Sequence, residues 1–191
     1  MKDYLLVLGL VFIGCIGFTP NKEVKYIEKK EAFKLIDASL MKPYKDIKYN
    51  NHYMVFLQYQ KMIKYVADRT GFTPAFIYSY LVFESFKDGE PSYLMQNNNV
   101  GAIKYKDEHP DYIYLEDDCV NLCKFAKFET LEQGVEAWID VLNQERYGVC
   151  KTAYGINVVK CMQTQGYHTS DTYRQRYQLM KLYDTFYRYR D

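Results

Sequence analysis

The chain is short of several things that would have pointed elsewhere. Its 25 basic and 24 acidic side chains leave a net charge of +1 over 191 residues. That balance gives no basic footprint, so nucleic acid is not expected as a partner. The histidines His52, His109 and His168 are scattered, with no HExxH-like spacing, which leaves metal catalysis without a ligand set. The cysteines include no CxxC pair and no histidine at ligand spacing, which argues against zinc. No cofactor is expected. There is no internal repeat, no low-complexity tract and a single tryptophan, Trp138.

Long hydrophobic runs are scarce too. The stretch "YLLVLGLVFIGCIGF", residues 4–18 behind Lys2, is too short to span a bilayer comfortably and suits the apolar region of a signal peptide. Cleavage near Gly14 or Gly17, lipidation at Cys15 within the lipobox-like "FIGC", or retention as an anchor would each send the remainder out of the cytoplasm. The expected location is the periplasm, cell envelope or exterior, with membrane contact only through this segment. In an oxidising compartment the four remaining cysteines, Cys119, Cys123, Cys150 and Cys161, favour disulfides. Three connectivities are possible, and the local pairs 119–123 and 150–161 are the expected ones.

What is abundant is aromatic: 21 tyrosines and 11 phenylalanines. Tyrosine suits a groove that stacks on sugars, though most such residues simply pack at half-buried positions. After a charged tether and N-terminal helix over 19–49, the spacing of Met54, Leu57, Met62, Ile63 and Val66 predicts a helix ending at Gly71. Thr73 and Pro74 then open another helix. "VGAIKY" and "DYIYLED" are expected as strands around a "KDEHP" turn, with "CKFAKFE" as a third. Thr130 and Gln133 form a capping box for a helix to Leu142. Residues 155–166 read as a short helix closed by Gly166. A last helix is capped at Ser170 and Asp171, with Tyr173, Tyr177, Met180, Tyr183 and Tyr187 as its stripe. A monomer of one helical domain over 50–191, with a small β-hairpin inserted, is expected.

Glu84 breaks the pattern. It closes the apolar run Tyr80, Leu81, Val82 and Phe83 and shares a helical face with Ile77, Tyr80 and Leu81. Desolvation disfavours a charged carboxyl, and a carboxyl kept protonated is what a general acid needs to release a glycosidic oxygen. A rim glutamate paired with Lys87, or capping a neighbouring helix, fits the spacing equally well.

The surrounding residues resemble a known family. "FESF…SYLMQNNNVGAIK", with Glu84-Ser85, Ser92, Asn98-Asn99 and Ile103-Lys104, is similar to the core of the bacterial glucosaminidases of glycoside hydrolase family 73. "FAKFETLEQGVEAWIDVL" resembles that family's strand-then-helix segment. "GYHTSDTYRQRY", with Gly166, Tyr167, Thr169 and Tyr173, resembles its Gly-Tyr-x-Thr-x-x-x-Tyr stretch. The likeness covers roughly residues 50–186. Phe86-Lys87-Asp88 stands where the family often has glycine–tryptophan, and Val100-Gly101-Ala102 where it usually has an apolar–aromatic–glycine run.

The resemblance implies a mainly α (α+β) lysozyme-like fold with a small β-hairpin lobe. It implies cleavage of the β-1,4 bond between N-acetylglucosamine and N-acetylmuramic acid, with peptidoglycan glycan strands as partner. Glu84 would be the general acid, Tyr173 would lie near the scissile bond, and Ser85, Asn98, Asn99 and Tyr167 would contact substrate. A second carboxylate would come from Glu116, Asp117 or Asp118, with Glu116 favoured because strand side chains alternate between faces. An inverting route needs carboxyls ~6.5–9.5 Å apart, and a substrate-assisted route needs only Glu84 and an orienting tyrosine; both stay open. So do three rival readings: a lytic transglycosylase or other lysozyme-like muramidase, an enzyme acting on the diacetylchitobiose core of N-glycans, and a non-catalytic glycan-binding envelope or virion protein.

Overall fold

The computed structural model describes residues 50–115, 123–168 and 171–190; the apolar segment and the tether lie outside them. Helix α1 (Asn50–Thr70) stops where Gly71 takes φ +78° and its amide donates to the Ala67 carbonyl. Glycine enters this left-handed region without a Cβ penalty. Two residues later Thr73 caps α2 (Pro74–Ser85) by accepting from the Phe76 amide at 3.2 Å. Nine of the twelve residues of α2 are buried. A helix apolar on every side has to sit at the centre of a domain, and α2 packs chiefly against α6 and α1.

Aromatic rings fill the junction. Phe56, Tyr78, Tyr183 and Phe186 meet with centroids 5.2 to 6.3 Å apart, the range of favourable edge and offset contacts. Much of the tyrosine content is therefore core: Tyr53, Tyr59, Tyr78, Tyr80 and Tyr147 are all buried.

The chain leaves α2 through two very short antiparallel strands, β1 (Phe86–Lys87) and β2 (Glu90–Pro91). Asp88 and Gly89, both at positive φ, make the turn between them. The one-turn helix α3 (Tyr93–Gln96) follows, capped by Ser92. Sequence patterning predicts neither element, since each is too short for a periodic signal.

The second sheet corrects the expected hairpin. β3 (Asp111–Leu115) pairs antiparallel with β4 (Cys123–Lys127), Ile113 opposite Phe125. "VGAIKY" is not a strand: Lys104 makes an isolated bridge to Phe125, and the "KDEHP" turn precedes the hairpin instead of closing it. The connection between the strands, with Glu116, Asp117, Asp118 and Cys119, lies outside the described residues, as does the side chain of Cys123.

Helix α4 (Leu131–Leu142) has both halves of the Thr130–Gln133 capping box. A 3-10 helix (Glu145–Cys150) and α5 (Ile156–Thr164) follow, and the expected disulfide joins Cys150 to Cys161. Helix α6 (Tyr173–Arg190) returns across α2. Of the expected stripe, Met180 is buried and Tyr173, Tyr177 and Tyr183 pack half-buried against the core, whereas Tyr187 is exposed; Arg176, Leu179 and Phe186 complete the buried face. The described residues are mostly helical with two small two-stranded sheets, the mainly α architecture with a small β lobe. Among them no helix is long and apolar enough to cross a membrane.

Candidate active site

Glu84 lies in the last turn of α2, just before the chain turns extended at Phe86. Ile77, Tyr80 and Leu81, which share its face, are completely buried, while the Glu84 side chain keeps 17% of its surface open. Its Oε1 accepts from Arg176 Nη2 at 2.6 Å. The partner is thus neither Lys87 nor Lys104, whose ammonium lies 4.3 Å from the Phe125 ring centroid.

Arg176 is itself 1% exposed. Its guanidinium carbon lies 4.4 Å from the Tyr80 ring centroid and 4.0 Å from that of Phe83, within cation–π range of both. Nε donates to Thr172 Oγ1 at 3.1 Å. A buried cation needs a paired anion and further hydrogen bonds, and Arg176 has both. Two polar groups beside the pair are buried without a hydrogen-bond partner among the described residues: Arg176 Nη1 and the Tyr80 hydroxyl.

Tyr167 forms the adjoining wall. Its hydroxyl accepts from Trp138 Nε1 at 2.7 Å and donates to the Gly101 carbonyl at 3.2 Å, and its ring meets Tyr80 edge-on at 5.2 Å. Burial pushes its phenol well above the ordinary tyrosine value, with the Glu84 charge adding to the shift. Burial likewise raises Tyr80, partly offset by the Arg176 charge. Both phenols therefore stay neutral at physiological pH.

The expected substrate contacts divide. Ser85 is buried and donates to the Val100 carbonyl at 2.7 Å. Asn99 is also buried. Its Nδ2 donates to the carbonyls of Ile103 (2.9 Å) and Ala126 (2.8 Å), and its Oδ1 accepts from the Ile103 amide at 2.8 Å. With these groups spent inside the protein, Ser85 and Asn99 are scaffold, tying the end of α2 through the 97–103 loop to β4. Tyr167 likewise uses its hydroxyl internally. Asn98 is half-buried at φ +59° and donates to the Phe128 carbonyl at 2.9 Å. Tyr173 opens α6 one turn before Arg176 and so leaves the same face, with Lys160 Nζ 5.2 Å from its ring centroid. No hydrogen bond joins it to Glu84 among the described residues.

The structure thus brings together Glu84, Tyr80, Tyr167 and Arg176, with Tyr173 a turn away. Patterning places Tyr80 on the Glu84 face but misses Arg176. The signal for Arg176 was its place three residues after Tyr173, on the inward face of an otherwise apolar stripe. Two surface concavities of about 590 and 600 Å³ lie elsewhere, along α6, the first beside His52 and the second beside Lys64 and Pro74. Glu84 lines neither. Neither lining contains a buried ion pair comparable to Glu84–Arg176.

No protein-family model and no curated protein sequence matches the chain. Solved structures match its fold. A peptidoglycan hydrolase from Sphingomonas sp. A1 is 20% identical, with a TM-score of 0.51 over 62% of this chain and 81% of that one. The glycoside hydrolase domain of Salmonella typhimurium FlgJ is 15% identical, with a TM-score of 0.51 over 74% of this chain and 92% of that one. The chain therefore shares its fold with these two proteins, in line with the lysozyme-like helical architecture that the family 73 resemblance implies.

Proposed function

We propose that this chain is a peptidoglycan hydrolase cleaving the β-1,4 bond between N-acetylglucosamine and N-acetylmuramic acid, with Glu84 as general acid. The observation that carries the proposal is the setting of Glu84: a partly open carboxyl ending a buried helix, beside polar groups left unsatisfied. A buried group without a partner costs on the order of 1–3 kcal/mol, and a catalytic role is one of the reasons a native protein keeps such a group. The fold neighbours include a protein named as a peptidoglycan hydrolase and a domain named as a glycoside hydrolase, which supports the same substrate. Glu116, with Asp117 and Asp118 as alternatives, supplies the base of an inverting route. A substrate-assisted route instead uses the substrate acetamido group, with Tyr173 orienting it. Export through the N-terminal segment brings the protein to its polymer, and the Cys150–Cys161 disulfide suits that compartment.

A second reading has its own observation. The 2.6 Å ion pair gives Glu84 a structural partner, which favours a protein that keeps the fold to grip glycan strands without cutting them. Glu84→Gln separates the two. It is expected to lower lysis of purified sacculi by about 10²–10⁴-fold while still sedimenting with them. Because the change strands a buried cation, circular dichroism of the same variant checks the fold. Mass spectrometry of the wild-type digest is expected to show reducing N-acetylglucosamine ends; anhydro-muramic ends would identify a transglycosylase. Undiminished lysis by a folded Glu84→Gln protein would falsify the acid assignment, and an inert wild type would favour the binding protein.

A further inference from the structure

We propose that Arg176 is the positioning residue that fixes which oxygen of Glu84 carries the catalytic proton. The inference rests on Glu84 being the general acid. A guanidinium is all donor and no acceptor, so the oxygen it faces has to present a lone pair. Arg176 Nη2 faces Oε1 at 2.6 Å. A proton on Oε1 would point into that N–H. When the carboxylate paired with Arg176 takes up the proton it delivers, that hydrogen therefore goes to Oε2, which takes no hydrogen bond among the described residues.

The guanidinium is well placed to enforce this choice, because it is immobilised from three sides. Nε is tied to Thr172 Oγ1, and the rings of Tyr80 and Phe83 contact it at 4.4 and 4.0 Å. Tyr80 and Phe83 stand four and one residues before Glu84 on α2, so a single helix carries both the acid and the slot for its partner. Arg176 comes from α6, 92 residues further along the chain. The carboxyl is thus oriented before any sugar arrives, and prior orientation lowers the barrier.

The same contact assists the bond-breaking step. The proton leaves Oε2 for the glycosidic oxygen as the C1–O bond breaks, and the bonding pair stays on that oxygen, which becomes a hydroxyl. Water supplies the hydroxyl that bonds to C1 and releases its other proton, and Glu84 recovers one from solvent. As Oε2 loses its proton a negative charge grows on the carboxylate, and the fixed cation stabilises that charge without reorganising.

Leaving-group dependence tests the idea. Arg176→Met and Arg176→Lys are made in the full chain and assayed on a soluble peptidoglycan-derived oligosaccharide of alternating N-acetylglucosamine and N-acetylmuramic acid and on the dinitrophenyl β-glycoside of N-acetylglucosamine. The nitrophenolate departs without help from an acid; a sugar hydroxyl does not. Arg176→Met is expected to lower kcat on the oligosaccharide roughly 10²-fold, with KM changed by less than about threefold and the aryl glycoside nearly unaffected. Lysine keeps the charge but lacks the planar fork. It should fall between the two on the oligosaccharide and leave the aryl rate alone. Equal losses on both substrates, or no loss, overturns the assignment, and the lysine variant decides it if the methionine variant does not fold. Glu84→Gln runs alongside: if it still cleaves the oligosaccharide, the acid reading fails. If it is dead there while the Arg176 variants are normal, only the positioning role fails.

Discussion

At the scale of single residues, Glu84 and Arg176 are one unit. Removing one member of a buried pair costs more than the pair was worth, because the survivor stays desolvated and unpaired. Glu84→Gln is therefore expected to destabilise the protein by about 3 kcal/mol, the low end of the range for broken buried pairs, since Glu84 keeps some contact with water. Glu84→Gln combined with Arg176→Met removes the orphaned cation and should recover most of that loss. Urea denaturation of the two single variants and the double variant checks it. A double variant as unstable as the sum of the singles would mean the two side chains act independently. The practical consequence concerns the activity assay: loss of lysis in Glu84→Gln is informative only once the melting curve shows that the protein is folded.

At the scale of elements, the joint between the helical body and the hairpin hangs on Asn99 and on two close approaches. Gly134 in α4 lets the Asn98 carbonyl lie where a Cβ would be, and Gly101 does the same for the Trp138 indole. Asn99→Ala leaves the Ile103 amide and the Ile103 and Ala126 carbonyls without their side-chain partner. The Ile103 carbonyl keeps the Ala126 amide, so two groups are stranded; at roughly 1–3 kcal/mol for each the expected loss is about 2–6 kcal/mol, read as a lower thermal midpoint, and a shift of only a degree or two would show that water repairs the joint. Gly134→Ala is expected to be as damaging, because backbone is what the new Cβ meets. The helices were legible in sequence where local chemistry marks their ends: Thr73-Pro74 for α2, the Thr130–Gln133 box for α4, Gly71 and Gly166 as stops. The strand partners were not, because β3 finds β4 across residues 116–122 and a strand's pattern does not name its neighbour. Nor was the place of Arg176 on the inner face of α6. A buried arginine looks like a surface residue until the carboxylate it meets is known, and that carboxylate lies 92 residues away. Glu84 stood out because an acid at the end of an apolar run is locally anomalous; its partner was not.

At the scale of the whole molecule, the segment after α4 packs Tyr147, Val158, Val159 and Met162 into the core and is braced covalently as well. Cys150 ends the 3-10 helix and Cys161 lies in α5. The bond also bears on the site. Tyr147, in the same 3-10 helix, meets the Tyr167 ring at 5.6 Å, and Tyr167 meets Tyr80. Closing a loop with a sequence separation of 11 stabilises by about 3 kcal/mol in the chain-entropy account. For a domain of this size that corresponds to a melting temperature lower by roughly 10 °C in reductant. Cys150→Ser with Cys161→Ser should reproduce the fall and remove any further response to reductant at this pair. If reduction leaves the midpoint unchanged in a protein whose Cys150–Cys161 bond is confirmed by peptide mapping, the 3-10 helix and α5 are held by packing alone. Near ambient temperature the reduced protein should still cleave, because the disulfide supports the wall behind Tyr167 and leaves the Glu84–Arg176 contact to the packing of α2 against α6. Activity lost at a temperature where circular dichroism shows an intact fold would instead tie the aromatic wall directly to the acid's geometry.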